Sequence, residues 1–336
     1  MLKIDRVTKV YKVGTFGGDE MTAVRDVSFD VNPGEVISLI GESGSGKTTV
    51  GRMILRLASV SGGSITYNGV DISTLKGRKL KSYYADVQGV FQDPFSSYNP
   101  IFKADRVFKM IKDAYFPGMS KAEWRSKLGA SLEAVTLDPV QVLNKFPHQL
   151  SGGQLQRLLI ARALLLDIRI LIADEIISML DASTRIDVLN LLGELKSRGL
   201  GIIFITHDLS LGNYISEKTV ILRRGLIVEM GATEKVFGNP THPYTKMLLA
   251  SVPQLHRKWD EVAKELEVSD DLLIDPDAAK RAYESVGEIL APDALDSVLV
   301  ETESDHVVRY SPEEAKEKMK SPAKEKKKSP PARKRG

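Results

Sequence analysis

Residues Gly41–Thr48 read GESGSGKT, directly behind the apolar run VISLI and at the head of a helical segment opening at Thr48. The stretch fits G-x-x-x-x-G-K-[ST] at every fixed position, in the strand–loop–helix setting that this pattern requires. A chain carrying it is committed to a core in which a buried strand hands over to a helix. Its glycines let backbone N–H groups wrap phosphate oxygens, and the helix N-terminus adds a favourable field. Lys47 is then placed to reach the β- and γ-phosphates of a nucleotide, and the Thr48 hydroxyl to ligate Mg²⁺. Gly41, Ser43, Gly44, Ser45, Gly46 and Thr49 complete the candidate nucleotide-binding loop.

A second element is ILIADE, Ile170–Glu175. Alone, an apolar run ending in two acids is most often a strand meeting a solvated loop. Beside a phosphate loop it places Asp174 near the metal, bound directly or through water, and Glu175 near an attacking water as candidate general base.

The third element is LSGGQ at 150–154, ahead of the helical LQRLLIARALLL. Two glycines cannot strengthen a helix interior, where each costs about 1 kcal/mol against alanine. At a helix start they do something else. Ser151 suits the N-cap and Gln154 completes a capping-box spacing, while Gly152 and Gly153 leave the backbone bare for a phosphate to approach. One chain around one nucleotide already has its phosphate loop, so this second anion-binding end is expected to serve a nucleotide held by another subunit.

Short β-like alternations fill residues 1 to about 85, a helical block runs from about 93 to 165, and β and α alternate again from Ile168. Runs such as IRILIA and GIIFIT argue for buried parallel strands. There is no internal repeat. The 336 residues, 42% hydrophobic and 27% charged, suit one large α/β domain with a smaller appendage. No apolar run approaches the roughly 18 residues of a membrane helix, and the N-terminus lacks the apolar core of a signal peptide. With no cysteine in the chain, disulfides, thiolate metal sites, cysteine nucleophiles and cysteine-ligated iron–sulfur clusters are excluded. The net charge of +3 is uneven: 316–336 holds ten Lys/Arg against two Glu, a net +8, which leaves −5 on the rest. That Lys/Ser/Pro-rich tail reads as a disordered, solvated charge run.

Together these motifs resemble the ATP-binding cassette (ABC) ATPases over about residues 1–253. The resemblance implies an α/β fold of the ABC P-loop NTPase type, with an antiparallel β subdomain and a helical insert at about 93–165. A small C-terminal extension (254–315) and the basic tail would follow. It further implies that Tyr11 stacks on adenine, and that Gln92, in VFQDP, senses the γ-phosphate and Mg²⁺ and touches the membrane partner. Asp181, in SMLD, would communicate across a dimer, His207, in FITHD, would contact the γ-phosphate, and Ser151 and Gly153 would act in trans. FQDPFSSYNP (Phe91–Pro100) and NPTHPYTKMLLASVP (Asn239–Pro253) look like the oligopeptide/dipeptide importer branch, in particular its second-subunit type. Subunits serving oligosaccharide and nickel importers belong to the same branch.

Two departures stand out. Ile176-Ile177 follows Glu175 where the branch commonly has Pro-Thr, which alters the turn that aims Glu175. Asp305–Tyr310 (DHVVRY) resembles the end of a region that in many relatives binds an iron–sulfur cluster through cysteines, and this chain has none.

A chromosome-maintenance ATPase would share the motifs, but it needs a long coiled coil between phosphate loop and LSGGQ, and no sustained heptads occur there. Translation-factor relatives carry two cassettes per chain. A non-hydrolytic ATP-sensing module, suggested by Ile176-Ile177, is opposed by the retained Glu175 and His207. The expectation is therefore an ATPase using ATP and Mg²⁺, peripheral on the cytoplasmic face of the cell membrane. Its expected partners are a second, related ATPase chain, two permease subunits and an external solute-binding protein, with no nucleic acid.

Overall fold

The computed structural model describes residues 1–12, 18, 20–178, 180–250 and 297–320. The chain divides into two compact units, Met1–Ile227 and Val228–Gly336.

In chain order the first unit holds β1 (Leu2–Lys12), β2 (Glu20–Val31), β3 (Val36–Ile40), α1 (Lys47–Ile54), β4 (Gly62–Tyr67), β5 (Val70–Asp71), α2 (Gly77–Asp86), β6 (Val87–Val90), α3 (Arg106–Tyr115), α4 (Lys121–Glu133), α5 (Pro139–Val142), α6 (Gly152–Leu164), β7 (Ile170–Asp174), α7 (Ala182–Ser197), β8 (Gly201–Thr206), α8 (Leu209–Ile215) and β9 (Lys218–Arg223). Strands β3, β7 and β8 are buried at every position. Both of their faces are covered, which is why they read as continuous apolar runs rather than alternations.

These strands are parallel. β3 lies between β8 and β9, and β7 lies between β8 and β6. Their register aligns Ile40 with Thr206 and Asp174 with Ile205. Three chain segments therefore leave the sheet at one carboxyl edge: the loop after Ile40, Glu175 after Asp174, and His207 after Thr206. Ligand sites of open α/β sheets form at that edge.

A separate antiparallel sheet runs in the order β2-β1-β4-β5. β1 sets Tyr11 opposite Met21 and Lys9 opposite Val24, with register shifts on both sides of Lys9. The helical insert falls between β6 and β7, as the sequence suggests. Trp124, Leu132, Leu155, Leu158 and Leu159 pack in a core that also includes strand residues such as Leu171 and Phe204, and α4 opens on a Ser120/Glu123 capping box.

The second unit contains β10 (Leu226–Ala232), which begins at the end of the first unit, then α9 (Thr233–Gly238), α10 (Pro243–Ala250), β11 (Val298–Glu303), β12 (His306–Tyr310) and a helix over Pro312–Lys320. β12 pairs antiparallel with β10 and with β11. The division falls between Ile227 and Val228. Glu229–Gly231 pairs with His306–Val308, and this long-range pairing ties residues 228–250 to the C-terminal hairpin. The fully buried Glu229 carboxylate accepts hydrogen bonds from Thr241 N at 2.9 Å and His242 N at 3.0 Å. His306 Nε2 lies 2.7 Å from its Oε1. That is where the NPTHPYT turn and DHVVRY meet.

The tail expected to be disordered from Lys316 starts instead as helix through Lys320. Buried Ala315 anchors that helix. Residues 321–336, and most of the expected 254–315 extension, lie outside the described residues.

Candidate nucleotide-binding and catalytic site

The loop after β3 owes its shape to close approaches that only glycine allows. A Cβ at Gly41 would stand 2.1 Å from the Leu222 carbonyl oxygen. Gly46 has φ +103° and faces the Ala23 carbonyl, which a Cβ would approach to 2.6 Å. Gly225 N donates to Ser45 O at 2.9 Å, clamping the loop from behind. Gly41 and Ser45 are buried, so they shape the loop rather than line the cleft in front of it.

That cleft, of ≈ 690 Å³, is lined by Ser43, Gly44, Gly46, Lys47, Thr48 and Thr49 from the loop, with Glu42, Tyr11, Met21, Ala23, Gln92, Glu175 and His207 around it. Lys47 is only 5% exposed. Its ammonium donates to the carbonyls of Gly41 and Glu42, both at 2.7 Å. Burial lowers its pKa, against the opposing pull of Glu175, Asp174 and Glu42.

Thr48 Oγ1 donates to Asp174 Oδ1 at 3.2 Å. Asp174 is 4% exposed. Burial raises its pKa, partly offset by the Thr48 bond and by the charges of Lys47 and Arg52. A neighbouring cavity of ≈ 590 Å³ contains Thr48, Gln92 and Asp174 together. The three side chains expected at the metal are therefore grouped, with the oxygen donors that a hard cation prefers.

Glu175 sits at φ +49°, a left-handed conformation that costs a non-glycine residue about 1–2 kcal/mol. The conformation is held on both sides. Glu175 N donates to Ile205 O at 2.9 Å, and Ser178 N and Oγ donate to Glu175 O at 3.1 and 2.9 Å. Ile176 and Ile177 are buried in the main core. The unusual Ile-Ile pair thus anchors a turn that projects Glu175 into the cleft. There Glu175 Oε1 lies 3.2 Å from His207 Nδ1, with the carboxylate largely shielded and the imidazole 61% exposed.

Ser151, Gly152, Gly153 and Gln154 do not line this cleft. They form the start of α6 in the expected manner: Ser151 Oγ accepts from Gln154 N at 3.2 Å, and Ser151 N donates to Gln154 Oε1 at 3.0 Å. Asp181 is also outside the cleft. It caps α7, accepting from Ser183 Oγ at 2.6 Å, Thr184 N at 3.0 Å and Thr184 Oγ1 at 2.8 Å. Those bonds, led by Ser183, hold its carboxyl well below the usual range. Sequence reasoning missed the cleft positions of Met21 and Ala23, and also Lys9 over the Tyr11 ring. The β1–β2 register that brings them in is not written in any local spacing.

Comparison with known proteins adds independent findings. The ABC transporter family model matches residues 24–178, and the model for the oligopeptide/dipeptide transporter C-terminal region matches 228–272. A Brucella ovis protein named as a peptide import ATP-binding protein is 41% identical over 230 residues, 68% of this chain and 72% of its own length. The oligopeptide transport ATP-binding protein OppF of Streptococcus mutans is 38% identical over 272 residues, 78% of this chain and 87% of its own. Among solved structures, the dimeric post-hydrolysis state of an ATP-binding cassette bound to ADP and phosphate superposes with TM-score 0.62 at 30% identity. The match covers 69% of this chain and 99% of that one.

Proposed function

The chain belongs to the ABC transporter family of ATP-binding subunits, and from that premise we propose that it hydrolyses ATP to drive the import of peptides through a membrane permease pair. The observation that carries this reading is the convergence of Lys47, Thr48, Asp174, Glu175 and His207 on one sheet edge, with LSGGQ held apart on its own helix start.

Tyr11 would stack on the base and the loop would wrap the phosphates, with Lys47 exchanging carbonyl partners for β- and γ-phosphate oxygens. Thr48, Asp174 and Gln92 would hold Mg²⁺, which when bound neutralises charge developing on the transferred phosphoryl oxygens. Glu175, fixed by its strained turn, orients the attacking water and accepts its proton. His207, within reach of Glu175, donates to the γ-phosphate and keeps the carboxylate aimed. The Ser151–Gln154 helix start of a partner ATPase would close the cleft, and the α7 cap keeps Asp181 ionised where the two subunits would face each other. That partner is expected to be a related, different chain.

Gln92 borders both cavities, the second of which also contains exposed Leu57, and the segment that follows Gln92 carries exposed Phe95, Ile101 and Phe102. Apolar exposure of this kind marks a docking face, which we assign to the permeases. No described helix is long and apolar enough to cross a membrane. We place the chain on the cytoplasmic side, with substrate delivered by an external binding protein.

The test is reconstitution of the chain with its co-purifying permeases in lipid. Addition of peptide-loaded binding protein should raise ATP turnover. Stimulation by an oligosaccharide-loaded binding protein and none by a peptide-loaded one would contradict the peptide assignment.

A further inference from the structure

We propose that Lys9 is a positioning residue for nucleotide-base binding, acting through Tyr11 as a cation fixed against the ring; the proposal rests on the reading of the cleft as an ATP site. Val7, Lys9 and Tyr11 alternate onto one side of β1. Lys9 occupies a buried position where a strand would ordinarily place an apolar side chain. Its ammonium stands over the Tyr11 ring, 4.8 Å from the centroid, and is tethered by a hydrogen bond to Ser59 Oγ at 3.0 Å.

The tether is itself braced. Ser61 N donates to Thr8 O at 2.8 Å, and Val10 N donates to Ser61 Oγ at 3.1 Å, so the segment after α1 holds β1 on both sides of Lys9. Tyr11 lines the cleft and Lys9 does not. The ring thus borders the cleft, while the ammonium over it belongs to a residue outside the cleft lining.

Two consequences follow. The ring loses rotational freedom before a base arrives, so less ordering remains to be done on binding. The cation also draws π-density toward itself, which makes the ring a better platform for an electron-rich purine. A partly shielded cation–π contact is worth about 0.7–1.4 kcal/mol, and each 1.4 kcal/mol is about tenfold in affinity. The expected contribution is therefore about threefold to tenfold in ATP affinity, with none in phosphate affinity.

The experiment measures the dissociation constants of ATP and of inorganic tripolyphosphate for the full chain by calorimetry, and kcat for the assembled complex. Lys9→Met should weaken ATP binding about threefold to tenfold, leave tripolyphosphate binding unchanged and leave kcat within about twofold. Lys9→Arg, which keeps a cation, should restore ATP affinity. In a Tyr11→Ala background Lys9→Met should add nothing. Unchanged ATP affinity in Lys9→Met, equal weakening of tripolyphosphate, or an undiminished effect without Tyr11 would each overturn the proposal while leaving the ATP site intact. Failure of the unsubstituted chain to bind ATP would overturn both readings.

Discussion

Glu175 Oε1 and His207 Nδ1 stand 3.2 Å apart at the carboxyl ends of two adjacent parallel strands. The contact follows from sheet register: Asp174 pairs with Ile205, so the residue after β7 and the residue after β8 emerge side by side. The pair is unequal, since Glu175 is mostly shielded and His207 mostly open. That asymmetry suits a fixed base beside a group that meets substrate.

His207→Ala should therefore lower kcat by about 10²-fold, the usual worth of one donor aimed at developing charge, while leaving ATP affinity nearly unchanged. Steady-state turnover combined with nucleotide titration checks this. A large loss of affinity with normal kcat would place His207 in ground-state binding instead.

Ser151→Arg tests the separation of α6 from the cleft. Because Ser151 lines no part of this chain's own cleft, the variant should bind ATP within about twofold of the unsubstituted chain, as distant sites usually do. It should nevertheless lose ATP-dependent association with the partner ATPase in light scattering. Loss of ATP affinity as severe as that of Lys47→Ala would put LSGGQ in the same-chain site.

Asp174 links function to stability. Burial raises its pKa in the fold, so the protonated form is favoured there. The resulting stabilisation is fully present below the unfolded carboxyl pKa and is lost as pH rises through the folded one. Without Mg²⁺, Asp174→Asn should melt higher than the unsubstituted chain at about pH 7, and this advantage should shrink as pH falls toward about 5. Its Mg²⁺-dependent ATP turnover should be nearly abolished. A melting-temperature difference that grows on acidification would reverse the assigned sign.

The phosphate loop, the buried strands and the LSGGQ capping box were legible because each depends on neighbours within a few residues: a glycine beside a strand end, an apolar run covered on both faces, a serine three residues before a glutamine. Other features depend on distant pairings. Lys9 gains meaning only when Ser59, 50 residues on, reaches its ammonium. Glu229 and His306 meet across 77 residues, and neither looks exceptional alone. The cap that Asp181 forms on α7 is a local signal, since Thr184 lies at the capping distance, and it stands beside the role across a dimer that the resemblance implies. By sequence Ile176-Ile177 alters the turn at Glu175. In the fold both side chains are core residues, and Ser178 completes the turn.

Glu175→Gln separates hydrolysis with Glu175 as base from ATP binding alone. The amide preserves size but cannot take a proton. ATP binding should stay close to that of the unsubstituted chain, turnover should fall by about 10²–10⁴-fold, and an ATP-bound subunit pair should accumulate. Turnover near that of the unsubstituted complex, with no trapped pair, would contradict the assignment of Glu175 as base.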